Sequence, residues 1–319
     1  MEDFKLSFVK NRKRLTSLAV FIILAIIVLL IPTFTSLYVL IHIIDTLLIA
    51  LFAVSFNLVY GYMGELPFGH AGFFGLGAYI VVILMKFLNV NLAYAILIGI
   101  CSVVLYGVFV GSLIVRLSKI YFSLCSLAFG EFIAILFWSF REVGGDVGLH
   151  LRIITIKDMI LFYYVVLCVV FACVFILYKI VKSPFGLTVQ AIRDNPVRAG
   201  SIGVNVARYK KLTFIISTLF VGIAGILYLI LFSIVHPRFC SWAMLLNPLV
   251  GTLLGGSGSF IGPIIGTLIY YQIYWIVSEN LIFWQYFTGG IIVALIAFFP
   301  YGIMGYLERR QSLKLKRIY

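Results

Sequence analysis

Long runs of apolar residues alternate with short polar segments along almost the whole chain. A bilayer core about 30 Å thick is crossed by a helix of roughly 20 apolar residues, and about ten runs approach that length. They cover residues 15–36, 38–60, 68–86, 92–115, 119–140, 159–178, 212–235, 242–254, 264–279 and 286–303. The eighth and ninth runs are short for a complete crossing, so half-helices or re-entrant segments are an alternative there. The pattern predicts an all-α, polytopic transmembrane helical bundle of about ten spans.

The composition indicates that lipid surrounds most of the chain. Of its 319 residues, 63% are hydrophobic and 11% are charged, and the mean hydropathy is +1.16. A soluble domain is nearer a quarter charged, because polar groups must cover its core. The polar segments are too short to form a separate soluble domain. Residues 1–319 are therefore predicted to form a single transmembrane domain.

Basic residues are concentrated in four polar segments. With a cytoplasmic N-terminus and ten crossings, the cytoplasmic segments are the N-terminal tail, residues 116–119, residues 179–211 and the C-terminal tail. These segments hold 19 of the 24 lysines and arginines, as the positive-inside rule requires. Both termini are therefore predicted to be cytoplasmic. The same clustering accounts for the net charge of +13 without nucleic acid, which binds basic residues spread over a water-facing patch.

Two stretches interrupt the apolar pattern with glycine and proline. Residues 61–77 and 251–266 each contain six of the 28 glycines. Broken helices at membrane depth expose backbone groups, and transporters use such breaks to line a solute path. Close helix packing through small residues is an equally good interpretation. The candidate path residues are Glu65, His70, Gly72, Glu131, Gly255, Gly256 and Gly258.

Two acidic residues fall inside predicted spans. Asp45 lies a third of the way into the second span, and Glu131 lies near the middle of the fifth. A charge at this depth faces a cavity or a partner because burial in hydrocarbon costs several kcal/mol. Either residue could line a path or form a structural pair with a neighbouring helix. His70 is better explained as a hydrogen-bonded packing residue than as a metal ligand, since no second ligand lies one turn away; no metal site is predicted.

The long inside segment, residues 179–211, has strong local helix signals. Ser183 before Pro184 starts one helix, and Asn195 before Pro196 starts a second, because these residue pairs combine an N-cap with proline at the first helical position. The second helix is predicted to run over Pro196–Ser201, with Gly203 after it. A structured inside segment suits a docking partner, although an ordinary solvated connector is also compatible.

Several motifs resemble the branched-chain amino-acid ABC transporter permease family of the LivM type. The resemblance covers most of the chain after about residue 50, and its motifs occur in the family's order. They lie at Asn57–Tyr79, Tyr121–Glu131, Gly144–Gly148, Ser183–Asn195, Gly203–Lys210, Ala224–Tyr228, Gly255–Gly266 and Pro300–Gly305. One Gly-rich block is weak evidence, whereas the ordered series is specific.

The resemblance implies a permease subunit of an ABC importer in the bacterial cytoplasmic membrane. Its expected partners are a second, related permease, two cytoplasmic ATPase subunits, an extracytoplasmic solute-binding protein and membrane lipid. The expected solutes are branched-chain or other neutral amino acids, with amides and urea as further possibilities within the family. No enzyme activity and no cofactor are expected in this chain, because it has no phosphate-binding G-x-x-x-x-G-K-[ST] motif and ATP would be bound by the partner subunits.

The resemblance also implies that the second inside helix is the coupling helix, which seats in the ATPase. The residues assigned to coupling are Arg193, Asp194, Asn195, Pro196, Arg198, Ala199 and Gly203. Two departures from the family pattern stand out. The importer signature E-A-A-x-x-x-G would place Glu at Val197 and Ala at Arg198, and Glu65 stands where the family often has Gln.

An alternative function remains compatible with the residues. The chain could be an ion-coupled secondary transporter with Asp45 and Glu131 as a proton or Na⁺ relay, because broken helices and intramembrane acids suit that class. An intramembrane enzyme is disfavoured, since no paired aspartates, no H-E-x-x-H motif and no Ser/His arrangement occur.

Overall fold

The computed structural model describes residues 35–280, except 154, 156 and 157, together with positions 32, 286, 289–290, 293–294 and 302–306. The described chain is almost entirely helical, as predicted. Its helices are α1 (Leu37–Asn57), α2 (His70–Leu88), α3 (Leu92–Ile114), α4 (Lys119–Ser139), α5 (Met159–Lys182), α6 (Pro184–Asp194), α7 (Pro196–Ser201), α8 (Val206–Phe232), α9 (Trp242–Gly255) and α10 (Gly262–Asn280). A π-helical turn, Leu58–Met63, continues α1.

Six helices among the described residues are long and apolar enough to cross a membrane. They are α1 with its π-helical turn, α2, α3, α4, α5 and α8. Each coincides with a predicted span, and most ends agree within a few residues. The predicted spans 15–36 and 286–303 lie mostly outside the described residues, so the total of about ten and the placement of the termini stay predictions.

Helix α8 forms the centre of the bundle. It packs against α1, α2 and α3, and buried residues such as Phe214, Val221 and Ala224 occur along its length. By contrast, α3, α4 and α5 keep wide apolar faces exposed, including Leu105, Ile135 and Phe171. Apolar outer faces are what lipid contact requires, so the packing agrees with a multi-pass membrane protein.

Helix α9 is the short helix predicted from its sequence. Its 14 residues extend about 21 Å at 1.5 Å per residue, which is less than the hydrocarbon thickness of about 30 Å. It forms a tight hairpin with α10. A Cβ on Gly251 would lie 2.8 Å from the Cα of Thr267, and one on Gly266 would lie 2.7 Å from the Cα of Gly255. Close packing through small residues therefore holds this hairpin together.

The sequence did not predict the small β-sheet at the end of the bundle opposite α6 and α7. Strand β1 (Leu149–His150) pairs antiparallel with β2 (Ile234–Val235). The Nε2 atom of His236 also lies 2.8 Å from the carbonyl oxygen of Asp146. These contacts tie the loop between α4 and α5 to the chain that follows α8.

Candidate functional site

The predicted inside segment is a helix pair with the caps expected from its sequence. The Ser183 Oγ accepts a hydrogen bond from the Gly186 N–H at 3.4 Å. The Asn195 Oδ1 accepts one from the Arg198 N–H at 2.9 Å. These residues cap α6 and α7, so the predicted starts of both helices are confirmed. Helix α7 spans Pro196–Ser201, as predicted.

The chain leaves α7 through a turn that depends on Gly203. This residue has φ of +89°, a region that L side chains rarely adopt. The Gly203 N–H donates to the Gly200 carbonyl at 3.0 Å, and the Val204 N–H donates to the Ala199 carbonyl at 3.2 Å. Such bonds satisfy carbonyl groups at a helix end. An added Cβ on Gly203 would meet no atom within 4 Å, so the glycine requirement is conformational.

Two large apolar side chains are exposed on α7 and directly after it. Val197 is 78% exposed and Ile202 is 77% exposed. Between them, Arg198 is exposed, whereas Ala199 is buried and turns inward. Ile202 also lines a groove of about 510 Å³ together with Arg208.

Arg193, assigned to coupling, connects α6 to the end of α1. Its Nη1 donates a hydrogen bond to the Gly61 carbonyl at 2.7 Å, and its Nη2 lies 3.2 Å from the Oδ1 of Asp194. Gly61 belongs to the π-helical turn, which ends at Gly64 with φ of +79°. A cation at a helix C-terminus is favourable because carbonyl groups there lack partners.

Glu65 lies one residue beyond this helix end and forms a buried ion pair. The Lys210 Nζ lies 2.5 Å from the Glu65 Oε1, and the two side chains are 12% and 6% exposed, respectively. Lys210 lies in the first turns of α8. The pair therefore joins the first Gly-rich stretch to the helix that follows α7. Nothing in sequence spacing identified Lys210 as its partner, because 145 residues separate the two.

The two Gly-rich stretches meet beside the same helix end. The Asn57 Nδ2 donates to the Ser259 carbonyl at 3.1 Å. A Cβ added to Gly61 would clash with the carbonyl oxygen of Ser257. The end of α1 is consequently in contact with the α9–α10 turn, with α6 and with the start of α8.

His70 is fully buried at the start of α2. Its Nε2 lies 2.8 Å from the Ser217 Oγ, and the Ser217 hydroxyl donates to the Ser55 carbonyl at 2.5 Å. Since the serine proton is used for Ser55, Nε2 carries the imidazole proton and Nδ1 is bare. The ring packs edge-on against Phe56 and Phe214. This geometry matches the predicted hydrogen-bonded packing residue.

The candidate path glycines have different surroundings. A Cβ on Gly72 would lie 2.7 Å from the Cα of Gly130, so α2 and α4 cross closely there. Gly255 packs against the start of α10, as described above. Gly256 has φ of +100° and ends α9, whereas an added Cβ on Gly258 would meet no atom within 4 Å.

Glu131 caps the short helix α9. Its Oε1 accepts a hydrogen bond from the Trp242 N–H at 2.7 Å, and Trp242 is the first residue of α9. A carboxylate at a helix N-terminus is favourable because the free N–H groups carry partial positive charge. Glu131 lies about 18 Å along α4, counting 1.5 Å per residue. Helix α9 therefore starts part-way along α4 rather than at its end.

Asp45 lies on a seam between α1 and α10. We use the term α1–α10 seam for Tyr38, His42 and Asp45 on α1 with Tyr271 and Trp275 on α10. The Trp275 Nε1 donates to the Tyr38 hydroxyl at 2.9 Å, and the His42 and Trp275 rings lie 4.3 Å apart. The Tyr271 hydroxyl donates to the Asp45 Oδ2 at 2.8 Å. Neither Tyr271 nor Trp275 was predicted from the sequence to be a site residue.

The structure thus brings Arg193 and Glu65 to one helix end and places Glu131 and Asp45 elsewhere. The assignment of residues to a solute path and to coupling stays a prediction.

The chain belongs to a known family of membrane permeases. The family described as branched-chain amino acid transport system / permease component matches residues 38–299, which is most of the chain. The resemblance inferred from the motifs is confirmed. With its apolar helices, this membership makes the chain an ABC transporter permease of the branched-chain amino acid family and a multi-pass membrane protein.

Individual relatives agree with this membership. The chain is 25% identical over 306 residues to the high-affinity branched-chain amino acid transport system permease protein LivM of Escherichia coli, covering 85% of this chain and 70% of that protein. It is 26% identical over 307 residues to the LivM of Salmonella typhimurium, with the same coverage. A probable LivM of Methanocaldococcus jannaschii is 28% identical over 110 residues, covering 34% of this chain and 32% of that protein. No solved structure matches.

Proposed function

We propose that the chain is the permease subunit of an ABC importer in a bacterial cytoplasmic membrane. It would move branched-chain or other neutral amino acids inward, with amides and urea as further candidate solutes. ATP would be hydrolysed by partner subunits. The observation that carries the proposal is the capped helix pair α6 and α7, which joins α5 and α8 with single short turns.

The helix pair suits the transmission of movement from an ATPase. Its exposed surface carries Val197 and Ile202, which an ATPase could cover. Its inner side is fixed to the bundle through Arg193 and the Gly61 carbonyl. A displacement of α7 is therefore carried to the end of α1 and to the start of α8 rather than absorbed by a flexible linker.

The proposed assembly contains a second related permease, two ATPase subunits and an extracytoplasmic solute-binding protein. The family membership and the named relatives support this composition. Solute would pass between the two permeases as the ATPases open and close, and the chain itself performs no covalent chemistry.

An ion-coupled transporter is the second candidate, because Asp45 is buried at membrane depth. Its other proposed relay residue, Glu131, has a structural partner in the Trp242 N–H. Uptake driven by an ion gradient in membranes that contain this chain alone would favour this candidate. Dependence on ATP and on an added ATPase would reject it.

The coupling role can be tested with two glycines that stand three residues apart. Gly203→Ala places a side chain at φ of +89° and should cost about 1–2 kcal/mol of local stability. It should misplace the end of α7 and lower ATP-dependent uptake of radiolabelled leucine several-fold. Gly200→Ala is the matched control, because Gly200 has equal space around it and does not have positive φ.

The measurement is leucine uptake together with ATP hydrolysis, in host cells whose chromosomal gene carries each substitution. Hydrolysis that continues while uptake falls in Gly203→Ala indicates uncoupling. Full uptake by Gly203→Ala, with the chain present in normal amount, would show that the coupling assignment is wrong.

A further inference from the structure

Asp45 differs from the other fully buried carboxylate in the described residues. Asp45 is 5% exposed and Glu65 is also 5% exposed. Glu65 has a cationic partner, Lys210, on Oε1, and in the described residues its Oε2 has no hydrogen-bond partner. Asp45 has only the neutral Tyr271 hydroxyl, which binds Oδ2. Its second oxygen, Oδ1, is buried without a hydrogen-bond partner in the part of the chain that the structure describes.

A buried carboxylate with a free oxygen is costly unless a cation or hydrogen-bond donor completes it. Asp45 lies about 12 Å along α1 from Leu37, counting 1.5 Å per residue. At that depth the hydrocarbon of the membrane offers no hydrogen-bond donor. A cation from outside the described residues would complete this carboxylate.

The groups around Asp45 favour an ammonium cation. The Tyr271 hydroxyl binds Asp45, and the Tyr271 and Tyr274 rings stack with centroids 5.4 Å apart. Aromatic rings attract cations through their negative faces. An ammonium group supplies three donors and a full positive charge, which matches one carboxylate within a cluster of tyrosines.

The α1–α10 seam also offers a route by which a solute could reach Asp45. The route starts at the Leu37 end of α1. Tyr38, His42 and Trp275 form its first part, and Asp45 with Tyr271 follows about one turn further in. Hydrogen-bonded and ring contacts of this kind can be exchanged for contacts with a polar solute. Below Asp45 the packing becomes apolar, where Ile49 contacts Val250 and Tyr270.

We infer that Asp45 binds the ammonium group of a transported amino acid, through its free oxygen, when the α1–α10 seam opens in the transport cycle. This inference rests on the proposed importer function and narrows its solute class. Zwitterionic amino acids carry the required cation, whereas urea and simple amides do not. Tyr271 acts as a positioning residue that fixes the carboxylate through Oδ2.

The test separates the charge of Asp45 from its hydrogen bond. Asp45→Asn removes the charge and keeps an oxygen for Tyr271, whereas Tyr271→Phe removes the hydrogen bond and keeps the charge. Each substitution is made in the chromosomal gene of the host, so that the complete transporter assembles. Initial rates of radiolabelled leucine uptake are measured at saturating leucine and normalised to the amount of chain in the membrane.

We expect Asp45→Asn to lower the maximal rate at least about tenfold, because a desolvated cation loses its counter-charge. Tyr271→Phe should lower the rate no more than about threefold. Equal losses in the two variants, or a larger loss in Tyr271→Phe, would show that Asp45 only anchors Tyr271. Normal uptake by Asp45→Asn would overturn the inference.

A second measurement uses the unaltered transporter and does not depend on the folding of a variant. Membranes are treated with an apolar carbodiimide during ATP turnover, and modification of Asp45 is measured by mass spectrometry. Leucine should protect Asp45 several-fold, whereas urea should not. Modification that leucine leaves unchanged would overturn the inference.

The outcomes also distinguish this inference from the importer proposal. Leucine uptake by the unaltered transporter that requires an ion gradient instead of ATP would overturn the importer proposal. ATP-dependent uptake of urea with no uptake of leucine would leave the importer intact and overturn the role of Asp45.

Discussion

Two buried carboxylates, both close to α1, stand in opposite electrostatic situations. Glu65 is neutralised by Lys210 at 2.5 Å, close to the contact between Arg193 and Gly61. Asp45, near the other end of the helix, receives one neutral hydrogen bond and keeps a free oxygen. A carboxylate paired with a cation holds parts of a protein together, whereas a carboxylate without a cation is suited to a cationic ligand that comes and goes.

This difference indicates that the two ends of α1 have different roles. The Glu65 region connects the helix pair α6 and α7 to the bundle, as the proposed coupling requires. The Asp45 region lies where α1 packs against α10, with Tyr38 and Tyr271 in the same seam. Substitutions in the first region should therefore lower stability as well as coupling, whereas substitutions in the second should affect transport with little loss of stability.

The largest effect on stability should follow loss of Lys210. Lys210→Met leaves the Glu65 carboxylate buried without a cation, which should lower the free energy of unfolding by about 3–5 kcal/mol. The midpoint of thermal unfolding of the purified chain in detergent measures this change. Asp45→Asn should shift the midpoint far less.

Two further variants check the cause of that effect. Lys211→Met alters the neighbouring lysine, which is only half-buried, and should be nearly neutral. The double variant Glu65→Gln with Lys210→Met removes both charges and should recover much of the lost stability. A double variant as unstable as Lys210→Met would contradict the ion-pair interpretation.

A smaller effect should follow loss of the Arg193 contact. Arg193→Ala removes a charge-assisted hydrogen bond to the Gly61 carbonyl, worth about 1.5–3 kcal/mol. Amide hydrogen exchange within α6 should accelerate about tenfold or more. Arg198→Ala is the control, because the Arg198 side chain is exposed and α6 should exchange at its normal rate. Unchanged exchange in Arg193→Ala would show that Gly61 does not anchor α6.

The smallest effect should be seen at Glu131, a third carboxylate whose partner is the start of α9. Glu131→Gln keeps an oxygen for the Trp242 N–H and loses only the charge–dipole attraction of about 0.3–1 kcal/mol. Leucine uptake should fall less than about twofold. Abolished uptake with unchanged thermal stability would instead place Glu131 on the solute path or in an ion relay.

The local features of the fold were predictable because their signals lie within a few residues. Ser183 and Asn195 stand directly before proline, and Gly203 follows the end of the second helix, so both helices and their caps could be predicted. The spans followed from apolar run length. The start of α8 was predicted at residue 212, whereas the helix begins at Val206. Its first turns carry lysines and arginine and so lie outside the apolar run.

The pairings of distant residues could not be predicted from one sequence. Arg193 and Gly61 are 132 residues apart, and Asp45 and Tyr271 are 226 apart. Helical periodicity gives the face on which a residue lies, but not the helix that packs against that face. The alternatives for His70 and Asp45 were therefore left open by the sequence, and the assignment of either residue to a solute path stays a prediction.

The π-helical turn, Leu58–Met63, has a consequence for the rotational phase of α1. In this turn the Gly64 N–H donates to the Val59 carbonyl, so the turn holds one residue more than an α-helical turn. One extra residue offsets the angular position of everything beyond it by about 100°. The direction in which Asp45 faces α10 therefore differs, by this offset, from the direction that a continuous α-helix would impose relative to the contact of Gly61 with α6. Deleting a single residue from the turn would keep both contact surfaces in the sequence but rotate one of them away from its partner.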